Sequence, residues 1–105
     1  MSFFTKVAGV TFEGRQKIIW DLNRKGMLES GTELILRREP TNPYDPFAVA
    51  VLAPNGQQIG FLSRDCARQV SANMASGRRY RAFVSAVTGG DVGFAYGVNI
   101  QITEG

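Results

Sequence analysis

Apolar positions along the chain alternate between two periods. Residues 6–12 (KVAGVTF), 33–38 (ELILRR), 47–52 (FAVAVL), 58–62 (QIGFL), 79–88 and 94–103 are short runs rich in β-branched and aromatic residues, and they predict six strands. Residues 15–25 instead place Ile18, Ile19 and Leu22 at helical spacing, with Lys17 and Asp21 four apart as an ion pair and Gly26 as a stop. A second helix is predicted over residues 64–76. Ser63 would cap its start, Asp65 sits in its first turn, Ala67, Val70 and Met74 form one buried stripe, and Gly77 ends it.

Turn chemistry separates these runs. Glu39-Pro40 closes the second strand, because proline cannot extend a ladder. Asn55-Gly56 predicts a tight hairpin, since both residues tolerate positive φ, and Gly89-Gly90-Asp91 predicts another. Gly9 reads as a bulge or a close-packing point. Strand, helix, three strands, helix and two strands is too poor in long helices for repeated parallel crossovers. The order predicts a mainly β fold: a small, partly open, six-stranded antiparallel barrel of the OB or SH3-like kind, with two short α-helices attached.

Composition narrows the classes. A length of 105 residues without a linker-like stretch suits one compact domain over residues 1–105, and 44% hydrophobic content suffices for one core. The longest apolar stretches fall short of the roughly 20 residues that a membrane-spanning helix needs, so a soluble protein with no membrane partner is expected. The start, Met1-Ser2-Phe3-Phe4-Thr5-Lys6, lacks the pattern of a signal peptide. With Cys66 the lone cysteine, the expectation is a reducing cytoplasm and no internal disulfide.

Histidine is absent, which removes the most common general base and transition-metal ligand. None of Glu13, Asp45 and Asp65 has a second carboxylate two or four residues away, and no glycine-rich phosphate cradle is followed by Lys-Ser/Thr. Glu13, Asp45 and Asp65 therefore make poor acid/base or magnesium groups, and neither an enzyme nor a metal or other cofactor is expected. Cys66, one turn into a helix without a histidine partner, reads as a packing residue. Gly89-Gly90-Asp91-Val92-Gly93 joins two strands and opens no helix, so it reads as a hairpin and not as a dinucleotide fingerprint.

A net charge of +3 permits nucleic-acid binding without demanding it. Between Arg37 and Arg81, seven basic residues (Arg37, Arg38, Arg64, Arg68, Arg78, Arg79, Arg81) face three acidic ones (Glu39, Asp45, Asp65). All seven are arginine, the side chain that meets phosphate by planar, bidentate donation, though a solvated charge set explains them equally well. Arg78-Arg79-Tyr80-Arg81 suits backbone tracking with stacking, or simply a solvated strand start.

The candidate site is Asn42-Pro43-Tyr44-Asp45-Pro46, within a loop that holds three of the four prolines. Proline fixes φ and lowers the entropy lost when a loop meets its ligand. Tyr44 offers a flat face and a hydroxyl, Asn42 an amide edge, and Asp45 an acceptor for a base amine or sugar hydroxyl. The alternative is that Asn42 and Asp45 only cap turns and that Tyr44 packs on the barrel.

Three stretches carry a family resemblance: Val7-Ala8-Gly9-Val10-Thr11-Phe12-Glu13-Gly14-Arg15-Gln16, then R-E-P-x-N-P-Y-D-x-x-A-V over residues 38–49, then G-x-x-I-G-F-L over residues 56–62 with Ser63, Arg64 and Ala67. Together they resemble the HIRAN domain over nearly the whole chain. The resemblance implies an OB-like six-stranded barrel with added helices. It also implies capture of the 3′ end of single-stranded DNA, as in members joined to fork-remodelling DNA helicases. Other members stand alone in bacteria and phages.

Carried onto this chain, the resemblance implies a site of Asn42, Tyr44 and Asp45, with Asp45 accepting from a terminal 3′-hydroxyl. Phe12 stands where end-binding members carry a tyrosine, while Thr11 and Glu13 replace a basic and an aromatic residue. Phe61 and Arg64 match positions near the bound strand, and Phe94 an aromatic lining the end pocket. Arg37 and Arg64 would hold phosphates.

The leading expectation is thus a nucleic-acid-binding module for single-stranded DNA ends in DNA repair or replication-fork processing, acting beside a helicase or other repair protein. A protein-interaction adaptor using the same groove, or an exposed strand edge, is the alternative.

Overall fold

The computed structural model describes residues 2–105. Its elements are β1 (Ser2–Lys6), α1 (Arg15–Arg24), β2 (Glu33–Arg38), β3 (Val49–Leu52), β4 (Gln58–Phe61), α2 (Arg64–Ala75), β5 (Tyr80–Thr88) and β6 (Gly97–Glu104). The six strands form one antiparallel sheet in the order β1-β6-β5-β2-β3-β4. The sheet curls until its two ends touch at a single bridge, leaving the outer edge of β1 itself open. Just beyond β1, Ala8 bridges Phe61 of β4, donating at 2.7 Å and accepting at 2.9 Å. The result is a curled half-barrel with two helices, the mainly β architecture that the pattern predicts.

Alternation builds the core. In β6, Val98, Ile100 and Ile102 point inward while their neighbours stay partly exposed, and in β5 Ala82 and Val84 do the same. The continuous run of β3 is buried at every position. Ile19 and Leu22 of α1, and Ala67 and Val70 of α2, join the same cluster. Ser63 caps α2 as expected, its Oγ accepting from the Cys66 amide at 3.4 Å. The seam between Ala8 and β4 depends on Gly60, where a Cβ would overlap the Ala8 carbonyl oxygen and the Val7 side chain.

Three predicted features are displaced. The first strand is Ser2–Lys6, not residues 6–12. Phe3 faces the core and Phe4 solvent, and the ladder against β6 ends at Lys6. Gly9, at φ 71°, then turns the chain out of extended geometry, so Phe12 lies in a turn and not on a strand. The last strand begins at Gly97, because the Phe94 amide donates to Asp91 and its carbonyl accepts from Gly90, closing a turn instead of a ladder. On α1, Asp21 pairs with Lys25 at 3.0 Å and Arg24 at 3.6 Å, not with Lys17. An acidic residue four positions N-terminal to a basic one is the favoured orientation.

Candidate nucleic-acid interface

The loop over residues 40–46 is pinned from within. The Asn42 side-chain oxygen accepts from the backbone amides of Tyr44 (2.8 Å) and Asp45 (3.1 Å), and its amide nitrogen donates to Glu39 Oε1 (3.1 Å). Asp45 Oδ1 accepts from the Phe47 amide at 2.9 Å. Capping is therefore a large part of what Asn42 and Asp45 do here. Asn42 commits both ends of its amide to the loop and acts as a brace. Asp45 keeps Oδ2, whose nearest cation is the Arg64 guanidinium at 3.9 Å. Tyr44 does not pack on the barrel: it is 89% exposed, held out by the braced backbone on either side.

These side chains surround a hollow of about 220 Å³ lined by Asn42, Tyr44, Asp45, Ala48, Phe61, Leu62 and Arg64. Its floor is apolar, and its rim carries a phenol, a carboxylate oxygen and a guanidinium. Such a set can stack a planar ring, accept from a hydroxyl and donate to an anion. No group of three or more metal-ligating side chains occurs among the described residues. Burial pushes the Cys66 thiol up, away from a reactive thiolate, in keeping with a packing role.

Of the sequence-derived residues, Asn42, Tyr44, Asp45, Phe61 and Arg64 converge on this hollow, while Phe12, Arg37 and Phe94 do not line it. Arg37 reaches back to Glu39 at 3.1 Å, and Glu39 in turn holds Asn42, so Arg37 anchors the root of the loop. Phe12 and Phe94 sit exposed on two neighbouring turns.

Two residues without a prior role join these pieces. Arg15, nearly buried, lies 5.1 Å from the Phe61 ring centroid and donates to the Gly9 carbonyl (3.0 Å) and to Glu13 (3.1 Å). It thereby fixes Phe61 and offsets the Glu13 charge. Gln16 donates to the carbonyls of Val10 (2.9 Å) and Tyr96 (3.0 Å) and accepts from the Tyr96 amide (2.7 Å). It latches the Phe12 turn to the turn that bears Phe94. In sequence both were only polar residues at a helix start, and their one signal was their place in the resembling stretch 7–16.

The arginines divide sharply. Arg78 chelates Glu104 at 2.6 and 2.7 Å, and Arg81 chelates Glu33 at 2.8 and 2.9 Å. Hydrogen bonding to the partner carboxylate raises both guanidinium pKa values, and Arg81 holds the Glu33 carboxyl below its ordinary value. Two of the three arginines over residues 78–81 are thus neutralised, while Arg79 is exposed and makes no ion pair among the described residues, so the segment offers a phosphate backbone one uncommitted cation in place of three.

A family model described as the HIRAN domain matches residues 1–102. The helicase-like transcription factor of Mus musculus is 39% identical over 46 residues, 44% of this chain and 5% of that protein. Its counterpart from Oryctolagus cuniculus is 40% identical over 42 residues, 40% of this chain and 4% of that protein. The chain thus spans a small fraction of these relatives. Among solved structures, the crystal structure of the HIRAN domain of human HLTF superposes with a TM-score of 0.72 at 23% identity, covering 98% of this chain and 74% of that one. A protein from Lactobacillus plantarum gives 0.67 at 17% identity, covering 97% and 98%. Both share the fold.

Proposed function

The chain belongs to the HIRAN domain family, and from that membership we propose that it is a nucleic-acid-binding domain that recognises single-stranded DNA at its 3′-hydroxyl end. The observation that carries the reading is the hollow beside the braced loop. There the exposed Tyr44 ring, the Asp45 Oδ2 and the loosely paired Arg64 bound an apolar floor of Phe61, Leu62 and Ala48.

In this reading the terminal base stacks on Tyr44, and Asp45 accepts a hydrogen bond from the terminal hydroxyl. Arg64 meets the adjoining phosphate. Phe12 and Phe94, latched through Gln16, supply further stacking surface alongside. Arg37 and Asn42 serve as braces rather than as direct contacts. Residues 1–105 act as one such domain, binding without catalysing. The similarity to helicase-like transcription factors supports a setting in DNA repair or fork processing beside a helicase. Low cysteine content supports a cytoplasmic location, and no described helix is long and apolar enough to cross a membrane.

The test is fluorescence anisotropy with a short single strand whose 3′-hydroxyl is free or blocked. Blocking is expected to weaken binding about tenfold, the cost of leaving the Asp45 acceptor unpaired. Equal affinity for both strands would remove end recognition, and no binding at low salt would remove the nucleic-acid reading.

One observation favours a second reading. β1 ends the sheet and carries Phe4, 69% exposed, so a partner strand could add there. Binding that ignores salt would point to that adaptor role.

A further inference from the structure

A second hollow, of about 200 Å³, is bounded by Tyr44, Asp45, Pro46, Phe47, Arg64 and Arg68. Tyr44, Asp45 and Arg64 line both hollows, so they form a shared wall. Phe47 stands 40% exposed. Its amide is tied to Asp45 and the next residue, Ala48, is buried, which holds the ring outside the sheet. The Arg68 guanidinium lies 5.6 Å from that ring's centroid. Among the described residues Arg68 makes no ion pair with a carboxylate. Arg64 and Arg68 stand one helical turn apart on the same face of α2.

An exposed aromatic ring with an uncommitted guanidinium against it is a stacking platform for a nucleobase, with a cation in place for its phosphate. We propose that Phe47 and Arg68 form a second nucleotide platform, taking the base next to the one held beside Tyr44, while Arg64 on the shared wall meets the phosphate linking the two. The proposal rests on the reading of the Tyr44 hollow as a nucleic-acid end site. It adds a direction to that reading: the strand leaves the terminal hollow over Phe47 and along α2. The spacing of the two rings is preset, because Asn42 and Asp45 brace the intervening backbone without a ligand.

A 5′-labelled oligothymidylate carrying one abasic residue at the terminal, the penultimate or an interior position reads this directly by anisotropy. For the unaltered protein, loss of the penultimate base should weaken binding about tenfold, and loss of an interior base much less. Phe47→Ala should weaken binding of the intact strand by a similar factor and become indifferent to the penultimate abasic site. Phe47→Leu, which keeps apolar bulk without a stacking face, should behave as Phe47→Ala does, and Arg68→Gln should fall between.

Wild-type affinity in Phe47→Ala, or an undiminished penultimate penalty in that variant, overturns the platform. If the platform alone fails, Tyr44→Ala and a blocked 3′-hydroxyl still weaken binding. If the end reading fails, neither does, and the abasic penalty follows no strand position, which overturns the platform as well.

Discussion

Arg64 and Arg68 beside the braced loop, and Arg78 and Arg81 at the start of β5, share one side-chain chemistry and differ in what holds them. The second pair is closed by bidentate contacts of 2.6–2.9 Å to Glu104 and Glu33. Among the described residues the first has a carboxylate only at 3.9 Å, for Arg64, and an aromatic ring for Arg68. A guanidinium already in a fork-to-fork pair must give up that pair to bind phosphate, whereas one resting on a ring need not. The number of arginines therefore says little about where an anion binds.

The contrast is sharpest under charge reversal. Replacing Arg64 and Arg68 together by Glu is expected to weaken oligonucleotide binding about a hundredfold at low salt and to reduce the salt slope by roughly two, measured by anisotropy across a salt series. Gly60→Ala tests the frame beneath the first pair. The added Cβ has only the Ala8 backbone and Val7 to meet, so the seam that carries Phe61 should part, with a loss of about 1–3 kcal/mol in chemical denaturation. Tyr44→Ala should cost about tenfold in affinity, roughly 1–3 kcal/mol of stacking, with unfolding unchanged because the ring touches little of the core.

The smallest effects belong to the closed pair. Arg78→Ala and Arg81→Ala should each alter binding by less than about twofold, since their charge is already met. A hundredfold loss there would break the comparison. Arg81 also makes a pH test. Its hydrogen bond holds Glu33 below the ordinary carboxyl value of 4.5, so the pair's contribution is complete above about that pH and is lost as pH falls through the lowered folded value. Arg81→Ala should slightly flatten the acid limb of a melting-temperature profile, slightly because both groups are exposed.

Much of the fold was legible because local chemistry and tertiary demand agree. The chain turns at Asn55-Gly56 where a hairpin is needed, though with only Gly56 at positive φ, Ser63 caps α2, and the alternation in β5 and β6 matches the inward faces. The β-branched content of residues 7–12 predicts a strand more strongly than the weaker alternation of Ser2–Lys6 does. Yet Gly9 at positive φ forbids the longer ladder. The same preference for aromatic runs extends the predicted β6 back to Phe94, whereas three positive-φ glycines, Gly89, Gly90 and Gly93, shape a turn there.

By itself the sequence determined the kind of fold, the stiffness of the 40–46 loop and the residue types available at a site. These follow from backbone propensity and turn chemistry, which act over a few residues. Only the tertiary structure decided which of those residues share a hollow, that Asn42 and Arg37 brace the loop, that Arg15 and Gln16 tie distant turns together, and which arginines meet a carboxylate among the described residues. Those outcomes rest on ion pairs and hydrogen bonds between residues as far apart as Gln16 and Tyr96, or Glu33 and Arg81. No short-range pattern encodes which carboxylate a guanidinium will meet once the sheet has curled.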